Sequence, residues 1–183
     1  MIKNLIFSAA LGALMVASAS AESRMINGEK LAAEQVFTYR LLDDIKSFDP
    51  QINTAVQGSG VLRDLFEGLM NEDLDGNLIP GVATGYTISD DKLTYTFNLR
   101  DAKWSNGEAV TAQDFVYSWR RLVDPATASE YAWYMELMGV KNATAVVKGE
   151  MTPDKLGVRA VDDRTFEVTI NNALPYFPAM TVH

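Results

Sequence analysis

The sequence contains no cysteine, so it has no disulfide framework, no thiolate metal site and no thiol to carry an acyl anchor. Histidine is almost as scarce, its one copy being the last residue, His183. A Ser-His-Asp or Cys-His nucleophile system would have to run through that position, so the chain is poor in the groups that covalent hydrolysis needs. Past residue 21 no run is long and apolar enough to span a bilayer. Positive charge is also short: 16 basic against 24 acidic side chains leave a formal charge of −8. An acidic chain with no basic stripe repels phosphate backbones, so neither nucleic acid nor an anionic membrane surface is expected as a partner.

What remains is ordinary globular material. The 183 residues are 48% hydrophobic and 22% charged, enough to bury a core. The first 21 residues stand apart. Lys3 gives a positive start, an apolar run from Leu5 to Val16 follows, and Ala19-Ser20-Ala21 has the small-x-small form of a cleavage site. The pattern reads as a secretory signal peptide. Export without a lipid anchor points to a soluble protein held between two membranes, in the periplasm.

Along the rest, Val36, Phe37, Tyr39 and Leu41 form a β-prone run that Asp49-Pro50 closes. Residues 51–60, with Gly58-Ser59-Gly60, read as an ordered loop. Val61, Leu62, Leu65, Phe66 and Leu69 then fall on one helical face. Asp73-Leu74-Asp75-Gly76-Asn77 reads as a turn. Period-two alternation marks strands at Leu93–Leu99 and Phe166–Ile170, the second pairing with residues 158–161 through a turn at Asp162-Asp163. Thr111-Ala112-Gln113-Asp114 is a capping box with Asp for Glu. It opens a helix whose apolar stripe is Phe115, Val116, Trp119, Leu122 and Val123, and Asp124-Pro125 ends it. Shorter helices are expected at Tyr131–Met138 and Ala143–Val147. The expected class is α+β: a small, mostly antiparallel sheet with packed helices.

The motifs with chemical potential are weak. Asp73-x-Asp75-Gly76-Asn77 lacks the sixth-position glycine and the twelfth-position bidentate glutamate that a calcium loop needs. Gly58-Ser59-Gly60 is not followed by the Lys-Ser/Thr of a phosphate loop. Asp90-Asp91 and Asp162-Asp163 are adjacent pairs whose side chains diverge, which suits solvated turns better than paired acid and base. Tyr131, Trp133 and Tyr134 combine apolar area with polar tips, and spacing alone leaves core packing and ligand contact both open.

Three stretches go beyond class. They are Arg63-Asp64-Leu65-Phe66-Glu67-Gly68-Leu69, then Tyr95 to Gly107 with its Arg100-Asp101-Ala102-Lys103-Trp104-Ser105-Asn106-Gly107, then Val110 to Trp119 with its Thr111-Ala112-Gln113-Asp114-Phe115-Val116. On these the chain resembles the oligopeptide- and dipeptide-binding proteins of bacterial ABC importers, the solute-binding proteins of family 5, over about residues 31–183. The resemblance implies a periplasmic binding protein of the type II-like, two-lobed clamp, of mixed α+β and α/β character, closing over an extended peptide. It implies no cofactor, no enzyme activity, a peptide ligand, an inner-membrane ABC permease complex as partner and a monomeric state. Residues 22–66 would begin the first lobe and 67–183 would be its small α+β domain, with the second lobe absent. The family's chains are far longer, so a fragment is expected, poor at binding peptide by itself.

By the same resemblance, Thr54, Ala55 and Val56 fall on the family's extended ligand-contact segment, Tyr131 on a ligand-facing tyrosine and His183 near the cleft. Thr54 stands where oligopeptide-binding members carry an acidic residue, which removes a charged contact there. Other solutes on the same scaffold (murein peptide, haem or a nickel chelate) are the alternative, and a secreted hydrolase domain is a more distant one.

Overall fold

The computed structural model describes residues 25, 26, 28–32, 34, 36 and 38–182. The leader at 1–21 and His183 therefore lie outside the described residues. Those residues divide into two units, one ending at Arg40 and the other beginning at Leu41. The first holds a short antiparallel hairpin, β1 (Met25–Ile26) and β2 (Glu29–Lys30), turning at Gly28 with φ +82°. The β-prone run around Val36 forms no strand at residues 38–41. Alternation alone does not make a strand; the ladder of a neighbour does.

The second unit is built on a four-stranded antiparallel sheet in the order β5-β6-β8-β7: β5 (Ala83–Ile88), β6 (Thr94–Leu99), β7 (Val158–Asp162) and β8 (Thr165–Thr169). Register pairs Phe97 with Phe166 and Tyr95 with Val168 in the two central strands. Tyr95, Phe97, Phe166 and Val168 are buried on one face, as the alternation in the sequence requires. Helix α2 (Ala112–Val123) packs its Phe115 and Trp119 rings on Phe166, with centroids 5.7 and 5.3 Å away. Its start is the expected box: the Asp114 carboxylate accepts from the Thr111 N–H at 2.7 Å and from the Thr111 hydroxyl at 3.0 Å. Short helices α3 (Trp133–Leu137) and α4 (Ala143–Val147) follow, and α5 (Phe177–Met180) closes the described chain.

A small hairpin, β3 (Met70–Glu72) and β4 (Leu78–Pro80), turns through Asp73, whose carboxylate accepts from the backbone N–H of Asp75 and Asn77. The expected turn is present, with Gly76 at φ +80°. Gly68 and Gly81 make a close crossing beside it. A Cβ on Gly81 would lie 2.5 Å from the Gly68 carbonyl oxygen, and one on Gly68 would lie 2.7 Å from that of Thr181. Two hydroxyl tethers hold the last residues down: Tyr95 Oη donates to the Leu174 carbonyl and Tyr134 Oη to that of Met180, each at 2.9 Å.

The first helix departs from expectation. It is α1, Val56–Leu65: it takes in Gly58-Ser59-Gly60, whose glycines predict a loop, and it stops short of Leu69, which the periodicity places on its face. The cause is local. The Asn53 amide donates to the Ala55 carbonyl and to Ser59 Oγ, both at 3.1 Å, bracing the first turn from outside. Gly58 makes room for it, since a Cβ there would fall 2.0 Å from Asn53 Oδ1. The helix ends at Phe66, which turns to extended backbone.

Candidate functional site

The residues before α1 turn at Asp49, whose carbonyl accepts from the Ile52 and Asn53 N–H at 3.1 and 2.9 Å, and reach the helix through Thr54 and Ala55; their exposure alternates. Gln51 and Asn53 are buried at 8% and 7% exposure; Ile52 and Thr54 are exposed. Ala55 is half-buried, with the extended φ and ψ of a helix N-cap, and Val56 opens α1 at 84% exposure. The turn thus buries Gln51 and Asn53 and leaves Ile52, Thr54 and Val56 outward. Such a face can offer side chains, and backbone between them, to an extended ligand.

A groove of about 700 Å³ lies beside it. Leu62, Leu65 and Phe66 of α1 form one wall, and Phe115, Trp119 and Leu122 of α2 another. Gln51, Asn53 and Tyr131 also reach it. The sequence-predicted set is thereby divided: Tyr131 lines the groove, Thr54, Ala55 and Val56 stand next to it in the chain, and His183 lies outside the described residues. Tyr131 is half-buried and stacked on Trp133, with ring centroids 5.9 Å apart and planes at 30°. Trp133 itself is 51% exposed, so the stack forms an aromatic shelf with one open edge.

A polar clasp, of which Gln51 and Ser118 line the groove, comes from residues that carried no functional signal in the sequence. Arg121 of α2 grips Asp49 with both guanidinium nitrogens, Nη1 to Oδ1 at 2.8 Å and Nη2 to Oδ2 at 2.6 Å. It also donates to Gln51 Oε1. Gln51 Nε2 donates to Ser118 Oγ at 2.7 Å and to the Ser118 carbonyl at 3.0 Å. The Arg121 guanidinium holds the Asp49 carboxyl below its ordinary range; partial burial opposes this and the Gln51 N–H adds to it. Burial pushes the Tyr134 phenol up.

The acidic pairs are turn residues. Asp91 accepts from Ser89 Oγ and the Leu93 N–H, and Asp162 from the Arg164 N–H and Thr165 Oγ1. Among the described residues no three His, Cys, Asp or Glu side chains come together as a metal site would require, and no helix is long and apolar enough to cross a membrane.

Comparison with known proteins agrees with this architecture. Residues 77–183 match the family described as bacterial extracellular solute-binding proteins, family 5 Middle. The chain is 44% identical over 174 residues to the periplasmic murein peptide-binding protein MppA of Escherichia coli, covering 93% of this chain and 32% of that protein. It is 44% identical over 182 residues to the periplasmic oligopeptide-binding protein OppA of Salmonella typhimurium, covering 99% and 33%. Among solved structures, Haemophilus influenzae OppA in complex with the peptide RPPGFSPFR superposes with a TM-score of 0.73 at 48% identity, over 75% of this chain and 27% of that one. The chain spans about a third of the length of the curated relatives it matches.

Proposed function

We propose that this chain, which belongs to the bacterial extracellular solute-binding proteins of family 5, contributes one wall of a periplasmic receptor that captures extended oligopeptides for an inner-membrane ABC importer. The observation that carries the reading is an apolar groove lined by Tyr131, Gln51 and Asn53, with the exposed Thr54 and Val56 following in the chain. A peptide in β conformation presents backbone groups and alternating side chains, which an apolar groove with exposed side chains beside it can receive. Thr54, Ala55, Val56 and Tyr131 are the proposed contacts. His183 is a further one by resemblance alone. The groove's mixture of rings and aliphatic chains favours loose side-chain selection, with water filling what a given residue leaves empty.

The rest of the reading is consistent with the family and extends past it. The family binds solutes and the relatives are named as binding proteins, so this chain is read as a receptor and not an enzyme. It is read as periplasmic, exported by a cleaved leader at 1–21 without a lipid anchor, and monomeric. Residues 22–66 would belong to the first lobe and 67–183 to its small α+β domain.

Isothermal calorimetry of the protein as its gene encodes it, with mixed tri- to pentapeptides, tests this. Binding at about micromolar affinity or tighter is expected, equivalent to ~8 kcal/mol. A folded protein that gives no heat with any peptide would overturn it. The 44% identity to a murein peptide-binding protein favours one second reading, a murein peptide as the solute. Mass spectrometry of small molecules released from the purified protein separates the two.

A further inference from the structure

The turn ahead of α1 buries Gln51 and Asn53 and leaves Ile52 and Thr54 outward, and something must hold it that way round. Side chains from the far end of α2 do so. Ser118 and Arg121, three residues apart, share one face of the helix. Both engage Gln51, and Arg121 also forks onto Asp49, linking positions 67 to 72 residues apart in the chain. The Gln51 amide has both its nitrogen and its oxygen engaged there. Asn53, two residues on, points the same way and braces α1.

A buried amide and an arginine fork are a poor way to gain stability alone, because aliphatic packing would do as well without the desolvation cost. What they add is direction. Arg121 meets both Asp49 oxygens as a fork, and Gln51 must face Ser118 to place its amide, so the clasp accepts one orientation of the turn.

We propose that Asp49, Gln51, Ser118 and Arg121 are positioning residues for solute capture, fixing the turn at residues 49–53 on α2 so that Thr54, Ala55 and Val56 are presented as contacts. This rests on the peptide-receptor reading and adds to it the part that presets the receptor before the ligand arrives. A preset surface loses less freedom on binding, so loosening it costs affinity without removing any contact atom.

The test uses the protein as its gene encodes it, with Arg121→Lys, which keeps the charge and loses the fork, and Gln51→Leu, which keeps the volume. Arg159→Lys, in the exposed ion pair with Glu167, is the control. Amide hydrogen exchange of residues 52–56 in the unliganded protein is expected to speed up about tenfold or more in both clasp variants, with β6 and β8 unchanged. Peptide affinity is expected to fall about tenfold in the same variants and to hold in the control. Unchanged exchange at 52–56, or faster exchange with unchanged affinity, would overturn the positioning role while the receptor reading stands. A wild-type protein that binds no peptide would overturn the receptor reading, and the capture role with it. A loss confined to melting temperature, with affinity held, would mark the clasp as structural and overturn the proposal.

Discussion

Asp49 reports on its surroundings through its proton. Its carboxyl is held low mainly by the Arg121 hydrogen bonds, and the Arg121 guanidinium is correspondingly held higher by Asp49. A carboxylate with a depressed folded pKa stabilises the fold above its unfolded pKa, about 4, and that contribution is lost as pH falls through the lower folded value. Asp49→Asn should therefore lower the urea midpoint near pH 6, and the gap to wild type should close as pH drops below about 4. Urea titrations of both proteins between pH 6 and 3 check this; a gap constant with pH would show that the carboxylate charge is not what the clasp uses. At this scale little of the site was legible. Tyr131 could be singled out because its neighbours match a family context. Gln51, Ser118 and Arg121 could not, because a hydrogen bond across 67 to 72 residues leaves no local pattern. Gly58 was misread for a related reason: the glycine serves the Asn53 side chain, and a glycine pair in isolation reads as loop.

Among the elements, those that repeat a period were readable. Helix α2 showed its stripe and its box, β6 and β8 their alternation, and α4 its bounds; β6 and β8 bury their alternating residues, while in α2 Val116 and Val123 are buried and Phe115, Trp119 and Leu122 half-buried. Strand β5 was missed because a register shift between Ala83 and Gly85 breaks its period at the sheet edge. Strand β4 was missed because three residues ending in Pro80 are too few to show any alternation. The element that matters most to the core is β8. Its Phe166 is fully buried and meets Phe97, Phe115 and Trp119, joining the central strands to α2. Phe166→Ala should cost about 3–5 kcal/mol, the range for emptying a packed aromatic site. Leu74→Ala, at the fully exposed tip of the β3–β4 hairpin, should stay within about 0.5 kcal/mol. Equilibrium urea unfolding measures both, and similar values at the two positions would contradict the placement of the core.

Taken whole, the molecule explains why its family was easier to read than its site. The three stretches that carry the resemblance end α1, build β6 with the turn after it, and form α2. They are contiguous runs that can be read along the chain, whereas the clasp joins Gln51 to Ser118 and Arg121 across 67 and 70 residues. The crossing at Gly68 has a consequence in time rather than in space. Residue 68 touches the Thr181 carbonyl from across most of the described chain, so this junction closes a very long loop. The equilibrium entropy of closure grows only as the logarithm of loop length, but a contact between such distant positions is a late event on the route to the native state. Gly68→Ala, which crowds that junction, should raise the unfolding rate while leaving the refolding rate within about twofold. Stopped-flow chevrons decide it: a refolding limb that slows as much as the unfolding limb quickens would place the junction among the first contacts to form, and the chain would then fold from its seam inward.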